Sequence, residues 1–434
     1  MEVLFDFAKD LAKFVKRRSW EVICVLGLFV IWSYLSRFIG GKLAFVFELL
    51  TVAAVISIRP VRQRIVSFLR TQKLRIRFNR VLSSFPAFES HSPSILRTEM
   101  GMYSTNLTLR LPPGTTFDVL DGMREDIAVQ MRLGSVRIVR DNADASVVRV
   151  KLVRGAPLSD RVLAWPGNIE VQTSLWDPIE VGIGEDGEAV ATHLPENSLL
   201  AGGEPGGGKS VFLNLLLCEI CLDPSVQLFI FDGKPPELTA WRPLCKGFVD
   251  TDIDQAVAQL DQIRDLMGER YRRLAELGLR KVSVECGMGF LVVVIDELPY
   301  YIASGKAGKE FGAKLQDLLS RGRAAGVIVI FTAQKPSSDT VPTSIRDLVS
   351  LRIAFRCSTR DASDTILGQG WSSQGYSASS IPLSDRGVGL FLGELGRPIL
   401  LRSYFVSLEQ EAAVIAYAVN LRASDSSTSI GSKE

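Results

Sequence analysis

The sequence predicts an α/β protein whose largest domain has a mostly parallel sheet with helices on both faces. From residue 197 onward, short apolar runs suited to buried strands alternate with longer segments of helical period. This alternation is typical of parallel sheets, because two parallel strands need a long crossover connection, usually a helix. A glycine-rich loop between one strand and one helix, and two adjacent carboxylates after another strand, indicate a ligand site at the carboxyl edge of that sheet.

The N-terminal part of the chain is typical of a two-helix membrane hairpin with basic flanks. Residues 1–19 are predicted as a cytoplasmic segment, and residues 20–58 contain two apolar runs, each close to the length of a membrane-spanning helix. Residues 59–98 are predicted as a basic linker, and no acidic residue occurs between 59 and 80. Basic residues on both sides of the hairpin predict a multi-pass protein of the cell membrane with cytoplasmic N- and C-termini. A buried helical hairpin is the alternative.

Residues 99–175 are predicted as a small α/β module. Strands are expected at 107–111, 135–139 and 147–153, where apolar and polar residues alternate, and a helix is expected at 116–133. The basic residues of this module are interleaved with acidic ones, which favours a solvated surface. Nothing in the module indicates catalysis.

The main domain is predicted over residues 176–422. A hairpin at 179–192 leads into it, and the following elements are listed in order: strands at 226–231, 290–295, 327–332, 351–355, 388–392 and 399–404, and helices at 211–222, 254–277, 309–325 and 408–421. The Ser-rich residues 423–434 are predicted as a disordered tail.

Composition excludes several classes of function. The chain has 434 residues, a formal net charge of +2 and 47% apolar residues, so any nucleic-acid contact must be a local patch. Its six cysteines show no metal-ligand spacing. Cys218 and Cys221 lie on one apolar helix, where they are expected to be buried as small apolar side chains. Only two histidines occur, which makes histidine-based catalysis improbable.

The glycine-rich loop has the spacing G-x-x-x-x-G-K-S, which is that of a phosphate-binding loop. It stands between an apolar strand and an apolar helix, so backbone N–H groups and the helix dipole converge on one point. We expect Lys209 to reach the β- and γ-phosphates of ATP and the Ser210 hydroxyl to ligate Mg²⁺. The residues predicted to bind the nucleotide are Gly203, Glu204, Pro205, Gly206, Gly207, Gly208, Lys209, Ser210 and Val211.

Polar residues follow two further apolar strands. Asp296 and Glu297 end the run 290–295, and the predicted roles are Mg²⁺ binding for Asp296 and activation of the attacking water for Glu297. Gln334 follows the run 327–332, where it is placed to sense the γ-phosphate. Arg323 ends the preceding helix, and the residues alone leave two roles open: complementing the helix dipole, or reaching the nucleotide of a neighbouring subunit.

The segments GGEPGGGKS, FIFDGKPPEL, VVVIDEL, RGRAAGVIVIFTAQKPSSD and LRIAFRCSTRDASDTILGQG together resemble the motor domain of the FtsK/SpoIIIE family over about residues 176–408. The resemblance implies a RecA-like fold, a hexameric ring, a membrane anchor and transport of double-stranded DNA. It implies phosphate and metal roles for Lys209, Ser210 and Asp296, a water-activating role for Glu297 and a sensor role for Gln334. It also favours Arg323 as the trans arginine and Arg346 as a DNA contact.

The compact layout is more similar to the conjugative plasmid-transfer branch of that family, since the chain has two apparent spans and ends soon after the motor. The resemblance therefore implies a membrane-anchored, ATP-driven double-stranded DNA translocase that moves plasmid or integrative-element DNA between cells, with other transfer proteins as partners. Three alternatives stay open: a chromosome-segregation pump, a protein-export ATPase of the type VII secretion kind, and a membrane-tethered nucleotide switch.

Overall fold

The computed structural model describes residues 59–101, 104–141, 143–154, 158, 162–185, 187–334 and 341–430. The predicted membrane hairpin at 20–58 and the segment 1–19 lie outside the described residues. Among the helices that are described, none is long and apolar enough to cross a membrane. The chain divides into two compact units, Met1–Ser90 and His91–Glu434.

The described part of the first unit is a basic helix, α1 (Arg59–Leu82), followed by a 3-10 turn at Pro86–Phe88. Phe78, Leu82 and Phe88 are fully buried. The sequence predicts this stretch as part of the basic linker at residues 59–98. Arg, Lys, Leu and Gln are good helix formers, however, and Pro60 stands in the first turn, where the helix needs no N–H donor from it. The basic segment is therefore a helix with an apolar C-terminal end.

The second unit begins with a four-stranded antiparallel sheet in the order β1-β2-β4-β3. Its elements are β1 (Ser94–Met100), β2 (Ser104–Arg110), α2 (Phe117–Gly122), α3 (Arg124–Met131), β3 (Ser135–Arg140) and β4 (Val147–Val153). The three predicted strands are present. The predicted helix is divided into two at Met123, and β1 lies mostly within the stretch that the sequence predicts as linker.

A ten-stranded sheet forms the centre of the main domain, in the order β6-β5-β14-β13-β12-β7-β11-β10-β8-β9. The six strands from β12 to β9 are parallel to one another, and the other four are added antiparallel. The strands are β5 (Ile179–Gly184), β6 (Ala189–Thr192), β7 (Leu199–Gly202), β8 (Gln227–Asp232), β9 (Cys245–Val249), β10 (Leu291–Asp296), β11 (Val327–Ala333), β12 (Leu351–Phe355), β13 (Val388–Leu392) and β14 (Pro398–Ser403). The predicted, mostly parallel sheet is confirmed.

Helices cover both faces of this sheet. They are α4 (Lys209–Cys221), α5 (Ile253–Glu276), α6 (Leu298–Ile302), α7 (Gly305–Arg321), α8 (Thr343–Arg346), α9 (Arg360–Leu367) and α10 (Leu408–Ile430). In β10, Val292 and Val294 face the apolar cluster under α4, whereas Val293 and Ile295 face the cluster under α5 and α7. The strand reads as an unbroken apolar run because both of its faces are buried.

Two helices of the main domain have ends that differ from their predicted positions by more than two residues. The helix predicted at 309–325 begins at Gly305 and ends at Arg321, followed by a 3-10 turn at Gly322–Ala325. The strand β9 and the helix α9 are not among the elements that the sequence predicts. The last helix continues to Ile430, beyond its predicted end at residue 421. Ser424 shows how a Ser-rich segment stays helical: its hydroxyl donates to the carbonyls of Asn420 and Leu421.

Residues 162–175, predicted as part of the small module, pack on the main domain instead. Trp165 is buried, and its indole N–H donates to Glu219 Oε1 on α4 at 2.7 Å. The Leu175 N–H donates to Asp223 Oδ2 at 2.9 Å. These hydrogen bonds satisfy buried polar groups of the main domain, so its boundary lies before Trp165.

The small module contacts the main domain through a buried carboxylate. Glu185, at the tip of the hairpin between β5 and β6, accepts from Arg137 at 2.8 Å and forms an ion pair with Lys151 at 2.9 Å. The Arg137 guanidinium also stacks over the Tyr376 ring, 5.2 Å from its centroid. A buried carboxylate requires such partners, since an unpaired one carries a large desolvation cost.

Candidate nucleotide site

The glycine-rich loop joins β7 to α4 in the conformation that a phosphate-binding loop requires. Gly203, Gly206 and Gly208 have φ angles of 144°, 76° and 122°, which residues with a Cβ rarely adopt. A Cβ on Gly208 would lie 2.8 Å from the Cα of Gly387, and one on Gly203 would lie 2.9 Å from the Phe355 Cβ. The glycines therefore meet both the torsional and the steric demands of the loop.

Lys209 begins α4 and turns back over the loop. Its buried ammonium group donates to the carbonyl oxygens of Gly203 at 2.5 Å and Glu204 at 2.9 Å. Burial lowers the pKa of this ammonium group, and the carboxylates of Glu297 and Asp296 counteract that effect. The lysine and the two acids predicted from the sequence thus surround the same point.

The two acids are joined through one hydroxyl group. Thr332, on the neighbouring strand β11, donates from Oγ1 to Asp296 Oδ1 at 2.6 Å and accepts from the Glu297 N–H at 2.9 Å. Glu297 has a φ of 57°, unusual for a residue with a side chain, and its carboxylate accepts from the Gln334 N–H at 3.1 Å. Gln334 therefore lies beside Glu297, as its position after β11 predicts.

Burial dominates the electrostatics of both acids. It raises the pKa of Asp296, opposed by the hydrogen bond from Thr332. It also raises the pKa of Glu297, opposed by the Gln334 N–H and by Lys209. Asp232 stands opposite Asp296 in the sheet register, and burial raises its pKa as well. A carboxylate with a raised pKa is a stronger base than an ordinary one.

The donor set fits Mg²⁺. Within the described residues, no group of three or more His, Cys, Asp or Glu side chains could hold a metal by itself. Protein Mg²⁺ sites beside a phosphate usually need only one or two protein oxygens, with phosphate and water supplying the rest. Asp296 at the end of β10 and Ser210 in the first turn of α4 are oxygen donors of this kind.

A cavity of about 630 Å³ adjoins the loop, a size within the range of ligand pockets. Its lining includes Val162, Leu163, Pro205, Gly206, Gly208, Lys209, Ser210, Val211, Lys234, Glu237, Gln334, Ser384, Arg386, Gly387, Arg402, Ser403 and Phe405. Val211, which the sequence predicts to bind the nucleotide, is among these lining residues. Lys234 and the segments 384–387 and 402–405 are additional. Lys234 follows the carboxyl end of β8, so a search for polar residues at strand ends would have found it.

Arg323 lies at the opposite edge of the sheet. It stands in the 3-10 turn before β11, and its guanidinium donates to the carbonyl of Glu196, ahead of β7. The phosphate loop follows the carboxyl end of β7, and a seven-residue strand such as β11 spans roughly 20 Å. Arg323 is exposed and remote from the nucleotide site of its own chain.

Arg346 makes hydrogen bonds within its own chain. Its guanidinium nitrogens donate to the carbonyl of Val341 at 3.0 Å, the carbonyl of Thr365 at 2.9 Å and Thr343 Oγ1 at 2.8 Å. This arrangement ties α8 to α9. The predicted contact with DNA gains no support from it.

A sheet of this topology, with a phosphate loop after one central strand and an acid pair after another, defines a P-loop ATPase domain. Residues 170–371 match the model of the FtsK/SpoIIIE family, so the chain contains an FtsK/SpoIIIE domain. The predicted resemblance is thereby confirmed.

Curated relatives include the DNA translocase FtsK of Corynebacterium efficiens, 26% identical over 72% of this chain and 35% of its own length. The FtsK of Streptococcus pneumoniae is 25% identical over 75% of this chain and 44% of its own. The chain thus spans less than half the length of these relatives.

Two solved structures share the fold. The pCW3 conjugation coupling protein TcpA, solved with ATPγS, covers 80% of this chain and 99% of its own, with a TM-score of 0.55 and 19% identity. The second is EssC of Geobacillus thermodenitrificans, ATPases 2 and 3. It covers 61% of this chain and 52% of its own, with a TM-score of 0.51 and 16% identity.

The Thr332 hydroxyl generates a prediction about pH. Thr332→Val removes the hydrogen bond that favours ionised Asp296, so the pKa of Asp296 should rise further. If hydrolysis needs the ionised acid, the acidic limb of the ATPase pH–rate profile should move to higher pH. The variant should also lose stability of about 1–3 kcal/mol, because it leaves the Glu297 N–H without its partner. Thr332→Ser keeps the hydroxyl and should keep the wild-type limb. A Val variant with an unshifted limb would contradict the assignment.

Proposed function

We propose that the chain is a membrane-anchored, ATP-driven motor that moves double-stranded DNA, and that it serves the transfer of plasmid or integrative-element DNA between cells. The observation that carries the ATPase part is that Lys209 lies at the same edge of the sheet as Asp296 and Glu297, the two acids that Thr332 joins. The DNA substrate is supported by the relatives that are named DNA translocases. The conjugative setting is supported by the likeness in fold to a conjugation coupling protein.

The geometry suggests how each residue acts on ATP. Lys209 exchanges its two carbonyl acceptors for phosphate oxygens, a short movement for a flexible side chain. Ser210 and Asp296 would hold Mg²⁺, which when bound would neutralise negative charge on the phosphates of the nucleotide. Glu297 accepts the proton of the attacking water, aided by the raised pKa of its carboxylate. The Gln334 N–H keeps the Glu297 carboxylate oriented.

A protein-export ATPase is the second candidate, because the fold is also like that of EssC. Likeness at 16% identity concerns the fold alone. The two candidates differ in what stimulates hydrolysis: duplex DNA for the first, a secreted polypeptide for the second. This difference decides the first experiment.

ATP hydrolysis by the full-length chain in detergent should rise when duplex DNA is added. Glu297→Gln should bind ATP but lose about a hundredfold or more of kcat, because it removes the base that acts on the water. Lys209→Ala should instead weaken ATP binding. Exposed Glu394, at the turn between β13 and β14, provides a matched control, and Glu394→Gln should behave as wild type. ATPase activity that duplex DNA leaves unchanged would count against the translocase and favour the export candidate.

Arg323 should act on the nucleotide of an adjacent subunit in a ring of six. Its remoteness from its own phosphate loop motivates this, and a guanidinium has the permanent charge and planar fork that suit a γ-phosphate. Mixed rings of Arg323→Ala and Glu297→Gln subunits should recover partial ATP hydrolysis, because some interfaces pair an intact Glu297 with an intact Arg323. Arg321→Ala is the control, since Arg321 is held by Asp317 at 2.6 Å. Mixed rings with no recovery would refute the trans role.

The membrane anchor is tested by fractionation. The full chain should sediment with membranes and resist extraction by high salt, because two apolar helices are held by the bilayer rather than by charge. Protease added outside spheroplasts should leave the C-terminal region intact, as the basic flanks predict. A chain found in the soluble fraction, or one cleaved from outside within residues 423–434, would refute the proposed topology.

A further inference from the structure

The cavity beside the phosphate loop has an apolar end that the predicted catalytic residues do not use. Phe405 and Val162 both line it, and they remain 42% and 75% exposed. Large apolar side chains that stay exposed beside a ligand cavity cost free energy unless a ligand covers them. A triphosphate held by Lys209 and Ser210 would not cover them, because it is itself charged and lies at the loop.

The backbone around these two side chains forms a small, fixed wall. The Phe405 N–H donates to the Leu163 carbonyl at 2.7 Å, and the Trp165 N–H donates to the Phe405 carbonyl at 3.0 Å. Ala164 and Phe405 form a parallel bridge, and Trp165 is anchored on α4 by its hydrogen bond to Glu219. The wall is therefore attached to the same helix that begins with Lys209.

The strand that carries the wall also contacts the phosphate loop. The Ser403 N–H donates to the Gly387 carbonyl, and the Gly387 N–H donates to the Gly207 carbonyl, both at 2.9 Å. Two hydrogen bonds thus connect the apolar wall to the phosphate loop, which sets the distance between the polar and apolar ends of the cavity.

We infer that Phe405, with Val162 and Leu163, forms the nucleobase subsite of the nucleotide site, and that it binds the base by stacking. This inference rests on the proposed ATPase function. The backbone groups named above already bond to one another, so a base edge would have to compete with them. A site that stacks on the base face discriminates weakly between purines, whereas one that bonds the base edge rejects the wrong base strongly. The subsite therefore accepts adenine and guanine with affinities within about fivefold of each other.

The test is calorimetric titration of the full-length chain in detergent with three Mg²⁺ complexes: ATPγS, GTPγS and tripolyphosphate, which has no base. Phe405→Ala should lower the affinity for both nucleotides roughly tenfold, which is the scale of base–aromatic stacking. It should leave the affinity for tripolyphosphate unchanged. Phe405→Trp should bind both nucleotides with the wild-type affinity, because it keeps an aromatic ring at this position. Leu277→Ala is the matched control, since Leu277 is also 42% exposed but lies at the end of α5. Val162→Ala should weaken both nucleotides in the same direction, and it tests the subsite even if Phe405→Ala fails to fold.

Several results would overturn the inference. Equal weakening of all three ligands by Phe405→Ala would show that the residue supports the loop and not the base. Wild type binding tripolyphosphate as tightly as ATPγS, or binding ATPγS more than about a hundredfold better than GTPγS, would also refute it while leaving the ATPase proposal intact. A wild-type chain that binds none of the three would refute the ATPase proposal itself, and the subsite with it.

Discussion

The parallel register of the central strands is the constraint on which the site depends. Gly202 of β7 pairs with Ala333 of β11, and Ile295 of β10 pairs with Phe331 of β11. Each of these strands therefore ends at the same edge, and whatever follows it projects into one crevice. The phosphate loop, the acid pair and Gln334 lie far apart in the sequence, and the shared edge of the sheet alone brings them together.

Placing acidic side chains at this edge costs folding free energy, and the proposed chemistry requires them there. Asp296 and Asp232 are buried opposite each other, and burial raises the pKa of both as well as that of Glu297. An acid whose pKa is raised by folding favours the native state less as the pH rises through that pKa. The left-handed backbone of Glu297 adds strain of the kind that accumulates at functional sites. The hydroxyl of Thr332 offsets part of these free-energy costs, because it donates to the Asp296 carboxylate and accepts from the Glu297 N–H.

The antiparallel half of the sheet has a different role. Strands β13 and β14 and the segment before β5 close the cavity from the side away from the acids, and the β5–β6 hairpin extends to the small module. Glu185 at that hairpin is held by Arg137 and Lys151, so the module is attached to the strand beside β14, which bears the apolar wall. The module and the nucleotide cavity are therefore connected through one sheet edge.

The sequence by itself determined the central strands, the phosphate loop and the acid pair, because each has a local signature: a strand buried on both faces is continuously apolar, and a loop around a phosphate needs glycine. The position of Gln334 was predictable because it directly follows β11, another continuously apolar strand. Only the tertiary structure decided the basic helix α1, which the sequence predicts as part of a linker, and the extension of α10 past residue 421, where the Ser424 hydroxyl donates to backbone carbonyls of the helix. The place of residues 162–175 and the linking role of Thr332 depend on hydrogen bonds between segments far apart in the chain. The order of the strands across the sheet is set by such long-range pairing. The edge at which Arg323 lies follows already from its place before a strand of a parallel sheet, whereas its hydrogen bond to the Glu196 carbonyl could be seen only in the structure.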